Sequence, residues 1–218
     1  PDCAKTDFSR LKYILYGAAP IPLELLRQCI AMFGAGFIQA YGMTETTGTI
    51  CMLPPEDHSA EGNTRMRSAG KPLPGVEVEV RDASGAALPV GEIGELYTRS
   101  SNNMLGYWKL PEATASTMSS DGWIATGDVG YLDEDGYVYI YDRAKDMIIS
   151  GGENVYPAEV ESGIYGHPQV LEVAVIGVPD DKWGEAVKAV CVPKPGQTID
   201  PDSVIGWARE RLAGFKVP

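Results

Sequence analysis

The sequence predicts a mixed fold, α/β followed by α+β, in three consecutive parts. Residues 1–70 contain a strand–helix–strand pattern, which predicts the end of a βαβ sheet subdomain. Residues 71–144 contain short alternating strands between turns, which predicts a small antiparallel, β-barrel-like subdomain. Residues 145–218 return to mixed strands and helices, which predicts a small α+β domain.

The first part consists of two predicted strands and the helix between them. Lys12–Tyr16 is a short apolar run ended by Gly17-Ala18-Ala19-Pro20, so it is predicted to be a buried strand that leads into a loop. The helix is predicted to begin at Pro22 and to end at Gly34, because apolar side chains recur at helical spacing between them. Phe37–Ala40 is the second strand. Open α/β sheets bind ligands beyond the C-terminal ends of such strands.

The second part alternates short strands with glycine-containing turns. Strands are predicted at Val76–Val80, Glu95–Thr98 and Tyr137–Ile140, and turns at Ala83–Ala86 and Asp133–Gly136. This spacing is typical of an antiparallel sheet or a small barrel.

A charged joint, Asp142–Asp146, lies between two apolar strands at the start of the third part. Charged residues are poor core material, so we expect the joint at a surface or at a seam between domains. The elements predicted after it are a second strand, a Gly151-Gly152 turn, a helix from Pro157, strands over Val170–Val178 and Ala186–Val192, and a last helix capped by Asp200.

The composition argues against several classes of protein. A formal net charge of −12 at pH 7 argues against a non-specific nucleic-acid binder and against docking on an anionic membrane. The four cysteines have no metal or redox spacing, which indicates a reducing, cytoplasmic setting. No apolar run approaches the ~20 residues of a transmembrane helix. The chain begins without Met and ends at Pro218, so we expect a fragment.

The segment Tyr41–Gly48 is predicted to lie just past the C-terminal end of a strand. It offers an aromatic face in Tyr41, a glycine that permits close backbone approach in Gly42, a hydroxyl in Thr44 and a carboxylate in Glu45. Those groups suit a purine, a phosphoryl oxygen and a Mg²⁺ ion, which prefers hard oxygen ligands. A polar β–α turn with a helix cap explains the same residues as well.

Asp128 closes the segment Thr126-Gly127-Asp128, which follows a predicted turn and strand over Asp121–Ile124. An ionised aspartate accepts hydrogen bonds on two oxygens, which matches the paired hydroxyls of a ribose. A turn aspartate that caps its own backbone is the alternative.

Arg143 and Lys145 are the cations of the charged joint, and Ser150-Gly151-Gly152 follows it. Arg143 has a planar fork suited to phosphate or ribose oxygens, and Lys145 stands where a rotation of domains would change φ and ψ. The two glycines would let a slender substrate arm pass close to backbone N–H groups. A solvated charge cluster and an ordinary turn are the alternatives.

Taken together, the motifs resemble those of one enzyme family. They are Gly17–Pro20, Tyr41–Glu45, Gly94–Leu96, Gly106–Trp108, Trp123–Asp128, Asp142–Lys145 and Gly151–Pro157. In this order and spacing they resemble the adenylate-forming acyl-CoA synthetases, the family of fatty-acyl-CoA and 4-coumarate–CoA ligases and of firefly luciferase. The resemblance covers essentially the whole chain.

The resemblance implies a two-step ligation. A carboxylate, expected to be that of a fatty acid, attacks the α-phosphorus of ATP and gives acyl-AMP and pyrophosphate; the CoA thiol then attacks the acyl-adenylate. ATP or AMP, Mg²⁺ and coenzyme A are the implied cofactors. Residues 1–70 would be the C-terminal part of the large domain's sheet subdomain, and residues 145–218 the hinge and part of a mobile C-terminal domain.

The resemblance also implies a role for each candidate site residue. Thr44 would meet the α-phosphate, Glu45 would bind Mg²⁺, and Arg143 would contact ribose or phosphate. The other candidates are Gly17, Ala18 and Ala19 at the adenine slot, Tyr41 and Gly42 against the base, Asp128 at the ribose diol, Lys145 as the hinge, and Gly151, Gly152 and Asn154 along the pantetheine path.

The chain also departs from the family pattern. It has no Ser/Thr/Gly-rich phosphate loop, and it ends before the position of the family's C-terminal lysine, so we expect it to be inactive alone. An amino-acid adenylation domain of a peptide synthetase and a non-catalytic adenosine-nucleotide-binding module are the alternatives. The joint and the Ser150–Asn154 loop favour a CoA ligase. The acid and the oligomeric state are left open.

Overall fold

The computed structural model describes residues 3–19 and 21–218, and the chain divides into two compact units, Pro1–Ile140 and Tyr141–Pro218. The predicted mixed α/β and α+β fold is confirmed. The predicted division into three parts at residues 70 and 144 stays a prediction. No helix within the described ranges is both long and apolar enough to cross a membrane.

The first sheet contains the predicted βαβ unit. Its elements are β1 (Tyr13–Gly17), helix α1 (Leu23–Phe33), β2 (Gly36–Met43), β3 (Gly48–Leu53) and β4 (Lys71–Pro72). β1 and β2 are parallel, whereas β2 with β3 and β3 with β4 are antiparallel. Helix α1 has Pro22 at its N-cap and ends at Gly34, whose φ of 59° is left-handed. Leu26 and Phe37 are buried in the core that this unit forms.

The second sheet has the strand order β5-β6-β7-β8. Its strands are β5 (Glu77–Arg81), β6 (Gly94–Arg99), β7 (Ile124–Leu132) and β8 (Val138–Arg143), and helix α2 (Pro111–Thr117) lies between β6 and β7 in the chain. The predicted turns are present, with Gly85 and Gly136 at φ 85° and 81°. A core that includes Cys51, Leu96 and Val138 joins residues of the first and second sheets.

The unit Tyr141–Pro218 has its own sheet, in the order β10-β9-β12-β11. Its elements are β9 (Ile148–Ser150), β10 (Glu153–Val155), helix α3 (Pro157–Tyr165), β11 (Val170–Asp180), β12 (Gly184–Pro193) and helix α4 (Pro201–Arg209). Asp200 caps α4 as predicted, because its carboxylate accepts from the amide of Asp202. Val160, Ile164 and Ala208 are buried where the two helices meet the sheet.

β3, β4 and α2 were not predicted, and two further differences, at β2 and β10, have a common reason. β2 continues to Met43 instead of ending at Ala40, because β3 turns back and pairs with Tyr41–Met43. The short strand β10 was not predicted, and it forms because its backbone pairs with β9 across the Gly151-Gly152 turn. In both cases backbone pairing extends a strand beyond the residues whose side-chain pattern predicts one.

Candidate functional site

The fold brings two candidate residues, Tyr41 and Asp128, into direct contact. The Tyr41 hydroxyl donates a hydrogen bond to Oδ2 of Asp128 at 2.5 Å, across 87 positions of sequence. Asp128 is 6% exposed, so this bond lies away from bulk water. Hydrogen bonds to a charged acceptor are short and strong. Burial and the Asp128 charge raise the pKa of Tyr41, which keeps the phenol protonated as a donor.

Asp128 owes its position to a bulge in β7. Gly127 has a left-handed φ of 72°, and the register between β6 and β7 shifts at this point. A bulge re-aims the side chain that follows it, and Asp128 comes directly after Gly127 within β7. The prediction that Thr126–Asp128 follows a strand is therefore wrong, as is the alternative of a turn aspartate.

Glu45 lies in a single 3₁₀ turn, Thr44–Thr46, between β2 and β3. The alternative of a β–α turn is wrong in its connection, since the chain folds straight back into an antiparallel strand. Oε1 of Glu45 accepts a hydrogen bond from the Tyr107 hydroxyl at 2.6 Å, and its backbone carbonyl accepts from the Met104 amide at 2.7 Å. Thr44 is exposed, with its side chain at the surface.

Strand packing requires glycine at position 42, and the sequence did not reveal this requirement. A Cβ at this position would lie 1.9 Å from the carbonyl oxygen of Gly48 on the facing strand. The predicted close backbone approach is therefore present, but the approaching backbone belongs to β3 of the same hairpin. The absence of a side chain is required whether or not a ligand binds.

The segment Gly17–Ala19 leaves the C-terminal end of β1 beside β2. Gly17 pairs with Ala40, the residue before Tyr41, and a Cβ on Gly17 would lie 2.1 Å from the Ala40 carbonyl oxygen. Ala18 has a left-handed φ of 64°, which is uncommon for a residue with a side chain. Gly17, Ala18 and Ala19 are exposed, and Pro20 of the same motif lies outside the described residues. Two of the predicted motifs therefore meet at one edge of the sheet.

The candidates of the charged joint are exposed, as the sequence predicted. Arg143 ends β8, and Lys145 lies in a 3₁₀ turn, Ala144–Asp146. Asp142 was not predicted to have a role, yet its Oδ2 accepts from the Ala158 amide at 2.8 Å, in the first turn of α3. Carboxylates at this end of a helix satisfy its free N–H groups.

The Gly151-Gly152 turn joins β9 to β10, and Asn154 is exposed on β10. Both glycines are left-handed, with φ of 61° and 86°. The Gly151 amide donates to the Trp183 carbonyl at 2.8 Å, and a Cβ on Gly151 would lie 2.8 Å from the Trp183 ring. The turn is therefore packed against Trp183, a residue without a predicted role because nothing in its local sequence pattern points to the turn.

Comparisons with known proteins place the whole chain in one group. A family model described as AMP-binding enzyme matches residues 1–108, and a model described as AMP-binding enzyme C-terminal domain matches residues 159–218. The fatty acid–[acyl-carrier-protein] ligase ScoC of Streptomyces coeruleorubidus is 46% identical over 218 residues, which are 100% of this chain and 42% of that protein. A feruloyl-CoA synthase of an Amycolatopsis species is 48% identical over the same 100% of this chain and 43% of its own length. The chain thus spans less than half the length of these curated relatives.

Solved structures agree with the sequence relatives. The amide bond synthetase McbA from Marinactinospora thermotolerans superposes with a TM-score of 0.90 at 42% identity, over 100% of this chain and 44% of that one. The o-succinylbenzoate CoA synthetase MenE from Bacillus subtilis, in complex with its acyl-adenylate intermediate OSB-AMP, has a TM-score of 0.87 at 40% identity, over 96% of this chain and 42% of its own. The chain belongs to the AMP-binding enzyme family, as its motifs predicted.

Proposed function

We propose that these residues are part of a longer ATP-dependent acid–thiol ligase. It would activate a carboxylic acid as acyl-AMP with release of pyrophosphate, and then transfer the acyl group to the thiol of coenzyme A with release of AMP. The observation that carries this proposal is the Tyr41–Asp128 hydrogen bond beside Gly17–Ala19, since it joins an aromatic ring, a carboxylate and a glycine-containing loop at one sheet edge. The family membership and the relatives' names support it.

In this proposal the sheet edge holds the adenosine. Gly17, Ala18 and Ala19 border the adenine, and Tyr41 stacks on it above Gly42. Asp128 accepts from the ribose hydroxyls while Tyr41 holds its Oδ2 at 2.5 Å. A carboxylate fixed in this way binds a diol without first having to be ordered, which lowers the entropic cost of binding.

Glu45 is the proposed Mg²⁺ ligand of the nucleotide site, with Thr44 next to the α-phosphate. Within the described residues, no group of three or more His, Cys, Asp or Glu side chains is arranged to hold a metal unaided. Mg²⁺ usually keeps several waters and binds through one or two carboxylates together with substrate phosphates, so a single carboxylate fits the ion. When bound, the ion would neutralise charge on the phosphates.

The unit Tyr141–Pro218 is the proposed location of the hinge and the CoA path. Arg143 would contact ribose or phosphate, and the exposed Lys145 would be the hinge residue between the two reaction steps. Gly151, Gly152 and Asn154 would border the pantetheine arm. The left-handed glycines leave a turn without side chains, and a Cβ on Gly152 would meet only open space.

The relatives' names suggest two alternatives to coenzyme A as the acceptor of the acyl group. One relative is named as an acyl-carrier-protein ligase, and one structural relative as an amide bond synthetase. A carrier protein presents the same type of thiol on a pantetheine arm, whereas an amine would give an amide. For the acid, the relatives' names favour a fatty or an aryl acid.

The test is acid-dependent pyrophosphate release by the whole protein. Fatty and aryl acids would be supplied with ATP and Mg²⁺, and each active acid would then be offered CoA, a carrier-protein thiol or an amine. We expect pyrophosphate release with at least one acid, and its loss in Asp128→Ala. Activity that survives in Asp128→Ala at wild-type KM for ATP would refute the adenosine site.

A further inference from the structure

The loop that carries Gly106-Tyr107-Trp108 is attached to the turn that carries Glu45. The Tyr107 hydroxyl donates to Oε1 of Glu45 at 2.6 Å, and the Met104 amide donates to the Glu45 carbonyl at 2.7 Å. The Thr47 hydroxyl adds a third bond, to the Asn102 carbonyl at 2.6 Å. Both the backbone and the side chain of Glu45 are thus held by a segment some sixty positions away in the sequence.

Tyr107 is itself fixed from the other side by helix α2. Its backbone amide donates to the Thr114 hydroxyl at 2.9 Å, and that hydroxyl donates to the Leu110 carbonyl at 2.9 Å. Gly106 has a φ of 147°, and a Cβ there would lie 2.9 Å from the Thr114 side chain. The ring of Tyr107 therefore extends toward Glu45 from a backbone held in place by hydrogen bonds and close packing.

We propose that Tyr107 is a positioning residue for Glu45, which holds one carboxylate oxygen so that the other is presented to a divalent cation. This inference rests on the proposed function, in which Glu45 binds Mg²⁺. Within the described part of the chain, Oε1 of Glu45 bonds to Tyr107 and Oε2 makes no hydrogen bond. The contact therefore fixes the carboxylate without using up the oxygen that a cation needs.

Fixing the carboxylate matters because, within the described residues, Glu45 is the one carboxylate proposed to bind the cation. A free glutamate side chain must give up rotamer freedom when a cation binds, and a hydrogen bond formed beforehand removes much of that loss. Partners that orient a metal ligand typically account for about 10–100-fold in metal affinity. We expect the lower end of that range, because a cation on a nucleotide is also held by phosphates.

The experiment compares Tyr107→Phe with Tyr137→Phe in the whole protein. Tyr137 is the matched control, because its hydroxyl also donates to a carboxylate, Oδ2 of Asp57 at 2.7 Å. Neither Tyr137 nor Asp57 has a proposed role in binding. Two quantities are measured by calorimetry: the affinity for AMP in excess EDTA, and the dependence of ATP binding on Mg²⁺. Electron paramagnetic resonance of Mn²⁺, used as the probe ion with ATP, reports directly on the cation's surroundings.

Tyr107→Phe is expected to need about ten-fold more Mg²⁺ for ATP binding, to change the Mn²⁺ spectrum, and to bind AMP in EDTA as the wild type does. Tyr137→Phe should leave all three readings unchanged. An unchanged or lower Mg²⁺ requirement in Tyr107→Phe would overturn the inference, and so would an equal loss of AMP affinity, which indicates a purely structural role. If the wild type bound neither AMP nor Mg²⁺-ATP, the proposed function itself would fail.

Discussion

Removal of the Tyr41 hydroxyl tests the contact on which the proposed adenosine site depends. In Tyr41→Phe the ring stays, but Oδ2 of Asp128 loses the donor that lies 2.5 Å away. Because Asp128 is 6% exposed, water cannot readily replace that donor. A hydrogen bond to a charged group contributes about 1.5–3 kcal/mol, and burial strengthens this one, so we expect the free energy of opening to fall by about 2–3 kcal/mol.

A double-mutant cycle isolates the pair. In Asp128→Asn the carboxamide oxygen still accepts from Tyr41, but as a neutral group, and removal of the hydroxyl from that background should cost about 1 kcal/mol. The coupling free energy between the two positions should therefore be about 1–2 kcal/mol. Tyr13→Phe is the control, because Tyr13 is 62% exposed on β1. This substitution should change the free energy of opening by no more than about 0.5 kcal/mol.

Native-state hydrogen exchange of the β2 and β7 amides is the appropriate assay. The chain has two compact units that need not unfold together, so a single unfolding transition would mix their stabilities. Exchange resolved by residue gives the free energy of opening for the strands that carry Tyr41 and Asp128. A coupling below about 0.5 kcal/mol would contradict the reasoning, because removal of the hydroxyl would then cost the same whether its acceptor at position 128 is charged or neutral.

Three further predictions concern stability. Gly42→Ala should destabilise the β2–β3 hairpin by more than about 3 kcal/mol, since its Cβ would lie 1.9 Å from a backbone oxygen; exchange of the hairpin amides measures this, and a neutral effect would contradict the close approach of the two strands. Gly206→Ala should stabilise α4 by about 0.5–1 kcal/mol, because Gly206 is an exposed mid-helix glycine with open space at its Cβ; lower protection of the α4 amides would be the wrong result. Burial, and then the nearby Asp133 charge, raise the pKa of Tyr139 from an ordinary 10.0 to about 12, so its contribution to stability is complete below pH 10 and is lost as the pH rises to about 12. Tyr139→Phe should remove the part of the tyrosinate absorbance that appears near pH 12 and reduce the alkaline loss of stability, whereas an unchanged titration curve would refute the assignment.

The local pattern of the sequence was sufficient for most elements. Helix α1 was predictable at both ends because Pro22 fixes its own φ near the value of a helix start, and Gly34 adopts the left-handed φ of 59° that ends the helix without a steric penalty. The capping carboxylate of Asp200 is equally local, since its partner is two residues away. Such signals act within a few positions and can therefore be recognised in the sequence.

The contacts that build the candidate site are of the opposite kind. Tyr41 meets Asp128 across 87 positions, and Glu45 meets Tyr107 across 62, so neither partner can be read from its neighbours. The family motifs supplied the residues one by one, but their pairing depends on strand register and on the bulge at Gly127. The sequence therefore supplied a set of candidates, and the fold arranged them in pairs.

Gly163 is a second case in which a contact distant in the sequence, here between helices, could not be predicted. A mid-helix glycine costs about 1 kcal/mol relative to alanine, and nothing in the sequence accounts for it. In the structure its Cβ position faces Leu212 at 3.0 Å, and its carbonyl accepts from the Trp207 indole at 3.0 Å. The glycine lets the segment that begins with α4 pack closely on α3, and only the fold reveals that reason.

Release of AMP by the whole protein tests the central claim most directly. With ATP, Mg²⁺ and an acid that it activates, the protein should form AMP in multiple turnovers only when a thiol acceptor such as coenzyme A is present, with one acyl thioester made for each AMP. Turnover that is independent of any thiol would contradict the assignment of an acid–thiol ligase.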